Sequence, residues 1–286
     1  MKFASFRTSN GASYGIVNES GLIDLGERLR YKSLRELIAA DASRDAATFA
    51  SESADHAIDD VTLLPPIPDP AHIFCVGTNY LDHLKEAQDA GLDRKQNPNP
   101  SIFTRFPDTL VGHGEALIRP KVSTQFDFET ELAVIIGTGG RYIQRGAACD
   151  HIAGYTCFND GSIRDWQFHT SQIVPGKNFW RTGSAGPWMV EAGDIADPAD
   201  LDIQLRLNGE VMQHSNTRHL IFDIPAIIAY VSSLVPLQPG DMIATGTPAG
   251  VGFSRKPPVF IKPGDICEVE IAQVGLLRNS VKDESD

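Results

Sequence analysis

Apolar and polar residues alternate along Phe126–Val134, FDFETELAV, and this period of two predicts a β-strand. Phe126, Phe128, Leu132 and Val134 then share one face, and Asp127, Glu129 and Glu131 share the other. The strand runs on into apolar LAVIIG, which places it deep in a sheet. Similar runs predict strands at Lys2–Phe6 and Ser13–Val17 around an Asn10-Gly11 turn, and at His72–Val76, Ser101–Phe106 and His151–Asn159. Further strands are predicted at Leu201–Leu207, with a return after Asn208-Gly209, and in a final run, CEVEIAQVG.

Helical spacing is confined to a few stretches. Ser33 caps a helix through LRELIAA, and a second is predicted from Ala46 to His56. A third is YLDHLKEAQDAG, capped by Asn79, with Tyr80, Leu84 and Ala87 as its apolar stripe. SIRDWQ reads as a short helix and Ile221–Val235 as a longer one, with Pro225 tolerated in its first turn. Leu64–Pro70 carries four prolines in seven residues, too many for a helix or a central strand. This sets a boundary between a small N-terminal α/β domain, residues 1–66, and a β-rich domain, residues 67–286. The fold class expected is α+β, mostly β, with a frayed tail at KDESD.

Composition narrows the functions. The 286 residues carry a formal net charge of −12, which argues against a broad grip on nucleic acid or on anionic lipid. No apolar run approaches the ~18 residues that span a bilayer, and MKFASFRTSNG lacks the apolar core of a signal peptide. A cytoplasmic protein is expected. Cys75, Cys149, Cys157 and Cys267 are widely spaced without CxxC, as reduced thiols would be.

Carboxylates two residues apart in a deep strand repel one another, so Glu129 and Glu131 call for a counter-charge. A hard divalent cation held by oxygen, magnesium, manganese or calcium, supplies it; a solvated sheet face is the other reading. Asp160, at the end of the His151–Asn159 strand, is placed to give a third oxygen, or else to cap SIRDWQ. His83 and Glu86 stand at i and i+3 of one helix, the spacing of a general base and its orienting carboxylate, or of a surface ion pair. Lys177, beside Phe179 and Trp180, is a candidate to hold charge near an anionic intermediate. Arg105 and His113 are candidates to line the same site, or to be structural. The glycines and threonines of GDMIATGTPAGVG suit a close backbone approach to a ligand, or a plain turn.

GTNYLDHLKEA, FETELAV, NDGSIRDWQ, GKNF with the later GPW, and GDMIATGTPAGVG, in that order and spacing, resemble the fumarylacetoacetate hydrolase family. The resemblance runs from about Ile73 to Val281. It implies a fumarylacetoacetase-type catalytic domain, a homodimer, and magnesium or manganese on Glu129, Glu131 and Asp160. It further implies that His83 and Glu86 activate water on a mobile segment. Gln167, Lys177 and Thr247 match groups that hold the carboxylate and oxo oxygens of a small anionic 2-oxo acid, while Asp127 has no match. There are two departures. Thr78 stands where many members have a basic or aliphatic residue, removing a carboxylate contact found in some decarboxylases. Trp180 replaces an aspartate and is expected to reshape the far end of the pocket.

The expected reaction is hydrolysis of a C–C bond in an acylpyruvate or related 2,4-dioxo acid. The same enolate serves oxaloacetate decarboxylation and hydroxymuconate-type isomerisation, so these stay open. A non-catalytic relative would lack a ligand or the dyad, and every one of these residues is present.

Overall fold

The structure is a computed structural model that describes residues 1–91 and 95–285. In chain order the first elements are β1 (Lys2–Thr8), β2 (Gly11–Asn18), β3 (Gly21–Asp24), α1 (Leu34–Ala39), α2 (Ser43–Ala47) and β4 (Thr62–Leu63). The Asn10-Gly11 turn closes a β1–β2 hairpin with Thr8 opposite Gly11. Ser33 caps α1 by accepting a hydrogen bond from Glu36 N. The helix expected from Ala46 to His56 is the five-residue α2 instead, and His56 bridges to Leu22. Its polar continuation SESADH has no apolar stripe with which to stay on the core.

The proline-rich stretch is irregular, and after it come β5 (Ile73–Gly77), α3 (Leu81–Asp89), β6 (Ser101–Thr104), β7 (Leu110–Val111) and β8 (Leu117–Arg119). The middle of the chain forms β9 (Phe126–Asp127), β10 (Thr130–Ile136), β11 (Ile152–Asn159), β12 (Ser162–Ile163), α4 (Arg164–Gln167), α5 (Val174–Lys177) and β13 (Gly183–Glu191). The chain ends with β14 (Asp202–Leu207), β15 (Glu210–Asn216), α6 (Ile224–Leu234), β16 (Met242–Ala244), β17 (Ile266–Ile271) and β18 (Gly275–Asp283). The molecule is mostly β. An 11-stranded sheet runs β3-β2-β1-β13-β11-β10-β16-β5-β6, with β4 and β7 paired off its path. A 5-stranded sheet, β15-β14-β17-β18-β8, packs against it through the principal core. No helix is long and apolar enough to cross a membrane among the described residues.

Four departures from the sequence reading have local causes. FDFETELAV is two strands, not one: Asp127 Oδ1 takes the N–H of Phe128 and Asn159 Oδ1 takes that of Glu129, so neither amide is free for a ladder. Asn79 does not cap α3, whose N-cap is Tyr80. Its buried amide group binds Phe222 N, Phe222 O and Thr245 O, tying three chain segments together. The last strand is not CEVEIAQVG alone, because β18 continues beyond it. Nor is the tail frayed up to Glu284, since Lys282 and Asp283 pair with β8 and Glu284 N donates to Arg119 O. Asp286 lies outside the described residues.

Residues 1–66 share sheet and core with the rest of the chain. β1 pairs with β13, Phe3 opposite Met189, and Phe3, Tyr14 and Leu34 pack in one cluster with Ile73, Ala133 and Phe158.

The sheet brings four chain segments together at one end of its central strands. β10 is antiparallel to β11 and to β16, and β16 is parallel to β5. The start of β10 therefore lies beside the ends of β11, β16 and β5.

Candidate active site

Register decides which carboxylates meet. Thr130 lies opposite Asn159, so Asp160, one residue past β11, comes level with Glu129 and its N–H donates to Glu129 O at 2.9 Å. Glu129, Glu131 and Asp160 are all buried, and each offers an oxygen within 4.8 Å of the others. Such a set, all carboxylate oxygen, fits a hard divalent cation and not a thiophilic one.

Three buried cations surround these acids. Lys177 Nζ lies 2.7 Å from Glu129 and 2.6 Å from Asp160. Arg105 lies 2.7 Å from Asp160 on its other oxygen, and Arg164 pairs with Asp127 at 2.8 Å and Glu129 at 2.7 Å. Burial opposes the charge on Glu129, but Lys177 and Arg164 outweigh it and hold its carboxyl down to about 2. Among the described residues Glu131 has no ion-pair partner, and its hydrogen bond comes from Gly246 N at 2.8 Å. Burial, and then Asp160 and Glu129, push its carboxyl well above the usual range. A further positive charge at the three acids would relieve Glu131, and the Lys177 ammonium between two of them shows that the place accepts one.

A cleft open to solvent lies beside this cluster. His83, Glu129, Glu131, Gln167, Lys177 and Thr247 all line it, so the structure gathers residues that are up to 164 positions apart, His83 to Thr247. His83 Nδ1 meets Glu86 Oε2 at 2.9 Å, which leaves the other ring nitrogen for chemistry. Burial raises the Glu86 carboxyl, yet bonds from His83, Ser254 and Gly250 more than offset this and keep it below its ordinary value. Gln167 accepts from Arg164 at 2.8 Å, and Thr247 accepts from Gln213 at 2.8 Å.

Three residues named from sequence sit elsewhere. Arg105 does not line the cleft. Behind it, each of its three guanidinium nitrogens is bonded, to Asp160, Gly161 O, Thr109 and Thr182, as a buried guanidinium requires. His113 accepts from Arg278 N, away from the cluster. Trp180 is 55% exposed beside Arg181: Phe179 turns inward onto Trp166, and its neighbour faces out. Thr78 does line the cleft, with a left-handed φ of 54°.

Sequence reasoning passed over Arg164, whose guanidinium lines the cleft 4.6 Å from the Phe253 ring centroid. The signal was its position four residues after Asp160, where a buried acid cluster needs a cation. Gln213, which ties Thr130 N to Thr247 and Pro248 O, gave no signal in an ordinary hairpin strand.

The family model described as fumarylacetoacetate (FAA) hydrolase C-terminal matches residues 72–282. The mitochondrial oxaloacetate tautomerase FAHD2A of Bos taurus is 44% identical over 224 residues, covering 78% of this chain and 70% of that protein. The mitochondrial oxaloacetate tautomerase fahd2 of Xenopus laevis is 37% identical over 292 residues, covering 98% and 90%. Among solved structures, maleylpyruvate hydrolase from Sphingobium sp. SYK-6, in complex with manganese(II) and pyruvate, superposes with a TM-score of 0.83 at 29% identity, over 100% of both chains. The fumarylacetoacetate hydrolase from Exiguobacterium antarcticum gives 0.86 at 36%, over 99% of this chain and 100% of that one. With its matched span and its mostly-β fold, this chain belongs to the fumarylacetoacetate hydrolase family.

Proposed function

We propose that this chain acts on a short 2-oxo acid and interconverts its enol and keto forms, with an oxaloacetate-like 2-oxo diacid as the substrate. The observation that carries the reading is that His83, held by Glu86 at 2.9 Å, lines one cleft with Lys177, Glu129 and Glu131, and that Asp160 completes the acid cluster beside it. A divalent cation on those three acids, magnesium or manganese, would act as a Lewis acid on the 2-oxo group. Gln167 and Thr247 offer hydrogen bonds to the substrate's carboxylate and oxo oxygens. His83 removes a proton from the carbon beside the carbonyl, and Glu86 stabilises the imidazolium. The electron pair moves onto the oxo oxygen, near the Lys177 ammonium. Return of that proton from the His83 imidazolium to the oxygen gives the enol and restores the base, and the reverse sequence gives the ketone. The oxaloacetate tautomerases at 44% and 37% identity support this choice.

Hydrolysis of an acylpyruvate is the second reading. It is favoured by the same dyad, which can take its proton from water instead of carbon, and by the maleylpyruvate hydrolase with pyruvate among the similar structures. One experiment separates the two. Enol absorbance of oxaloacetate and of a simple acylpyruvate is followed with manganese, with magnesium and with chelator, and products are analysed by NMR. Faster enol decay with the carbon skeleton intact is the expected result. Release of pyruvate and the matching acid moves the assignment to hydrolysis. Neither result, with metal demonstrably bound, sinks both.

A further inference from the structure

We infer that the loop from Gly246 to Arg255 is a strut that sets the general base against the acid cluster, with Ser254 and Asp127 as its positioning residues. The inference rests on the dyad's role proposed above, and the loop's contacts carry it. At one end Gly246 N donates to Glu131 Oε2 at 2.8 Å. At the other, Gly250 N and Ser254 Oγ donate to Glu86 Oε1 at 2.8 and 2.6 Å, on the carboxylate oxygen that His83 does not use. Both oxygens of Glu86 are thus engaged, so its plane and the ring of His83 are fixed together.

The loop itself is pinned by Asp127. Oδ1 accepts from Gly252 N at 2.7 Å and Oδ2 from Phe253 N at 3.0 Å, while Arg164 balances the charge at 2.8 Å. Gly252 is required there, because a Cβ would stand 1.9 Å from Val259 O and 2.5 Å from Asp127 Oδ1. Asp127, the last residue of β9 and outside the cluster of Glu129, Glu131 and Asp160, therefore holds the seat on which Glu86 rests. α3 offers little else to hold the dyad: His83, Leu84 and Ala87 are its buried residues, and Leu81 is exposed.

The test uses the full chain with Ser254→Ala and Ser254→Thr. Amide hydrogen exchange across Leu81–Asp89, read by mass spectrometry in metal-free protein, is expected to quicken on the order of tenfold in S254A and to return in S254T. In turnover, kcat is expected to fall about tenfold in S254A, with KM within about twofold, and to recover in S254T. Wild-type exchange and kcat in S254A would overturn the inference, as would loss in both variants alike. If exchange responds as expected while no 2-oxo acid is turned over by wild type, the strut stands and the proposed reaction fails.

Discussion

Lys177 is the residue on which the cluster's charge balance turns. Its ammonium is buried between Glu129 and Asp160, and removing it takes away the one cation the two carboxylates share, leaving Arg164 on Glu129 and Arg105 on Asp160. Taking one partner from a buried ion pair costs about 3–5 kcal/mol. Lys177→Met is expected to lose that much in chemical denaturation with chelator, and manganese is expected to recover more stability in the variant than in wild type. An equal response to manganese would show that the cation does not bind at these acids. Glu86 gives a prediction with a pH sign. Its folded carboxyl lies below its ordinary value, so its ionised form adds stability above the unfolded value, about 4.3, and that stability is lost as pH falls through the folded value. Wild type is expected to melt about 2–4 °C above Glu86→Gln at pH 7, the difference closing as pH falls through the folded value. A difference independent of pH would mean that packing, not charge, distinguishes the two. At this scale the sequence showed Glu129, Glu131 and the dyad as candidates, because spacings of two and three residues are local, and Asp160 because it ends an apolar run. It did not show that Arg105 stands behind Asp160, since only the register of β11 against β10 decides which oxygen is left for it.

Among elements, the junctions between strands position the chemistry more than the strands do. β11 ends at Asn159, Asp160 comes next, and Gly161 turns the chain into β12 against β9. A Cβ on Gly161 would stand 1.9 Å from Thr182 O and 3.0 Å from the Phe126 ring, so the turn has no room for one. Gly161→Ala is expected to cost roughly 1–3 kcal/mol by overpacking, read as a lowered denaturation midpoint. It is also expected to weaken manganese binding by at least about tenfold in calorimetry, because Asp160 moves with its neighbour. Wild-type manganese affinity in a destabilised G161A would show that the ligand does not depend on the turn. Hydrophobic periodicity and turn residues made β1, β2, β5, β6, β11, β14 and β17 legible, but not β13 or β16, nor the order of the strands in the sheet. The break inside FDFETELAV was not legible either, because it depends on Asn159 and Asp127 competing for backbone amides, and side-chain competition leaves no period.

At the scale of the molecule, the prolines of Leu64–Pro70 mark a change of texture while the sheet passes across it. Phe3, Tyr14, Ile16, Leu34 and Leu37 cover Ile73, Ala133, Ile135, Phe158, Ala185 and Met189, and β1 covers the edge of β13. Composition could separate the two halves but could not show this, because cover between distant segments comes from topology and not from local pattern. Fully burying one large apolar side chain is worth about 1.5–3 kcal/mol, and a whole domain is stable by only about 5–15 kcal/mol. Even partial re-exposure of the four large ones, Ile73, Ile135, Phe158 and Met189, therefore takes a large share of the total. An uncovered strand edge beside a fresh apolar surface also invites association. A chain of residues 67–286 alone is expected to elute as aggregate in size-exclusion chromatography and to melt without a cooperative transition, although it keeps every residue of the dyad and of the acid cluster. Adding residues 1–66 as a separate chain is expected to restore a cooperative melt if the covering surface suffices. A monodisperse, cooperatively melting 67–286 fragment would instead make the N-terminal unit an independent domain that the catalytic part does not need.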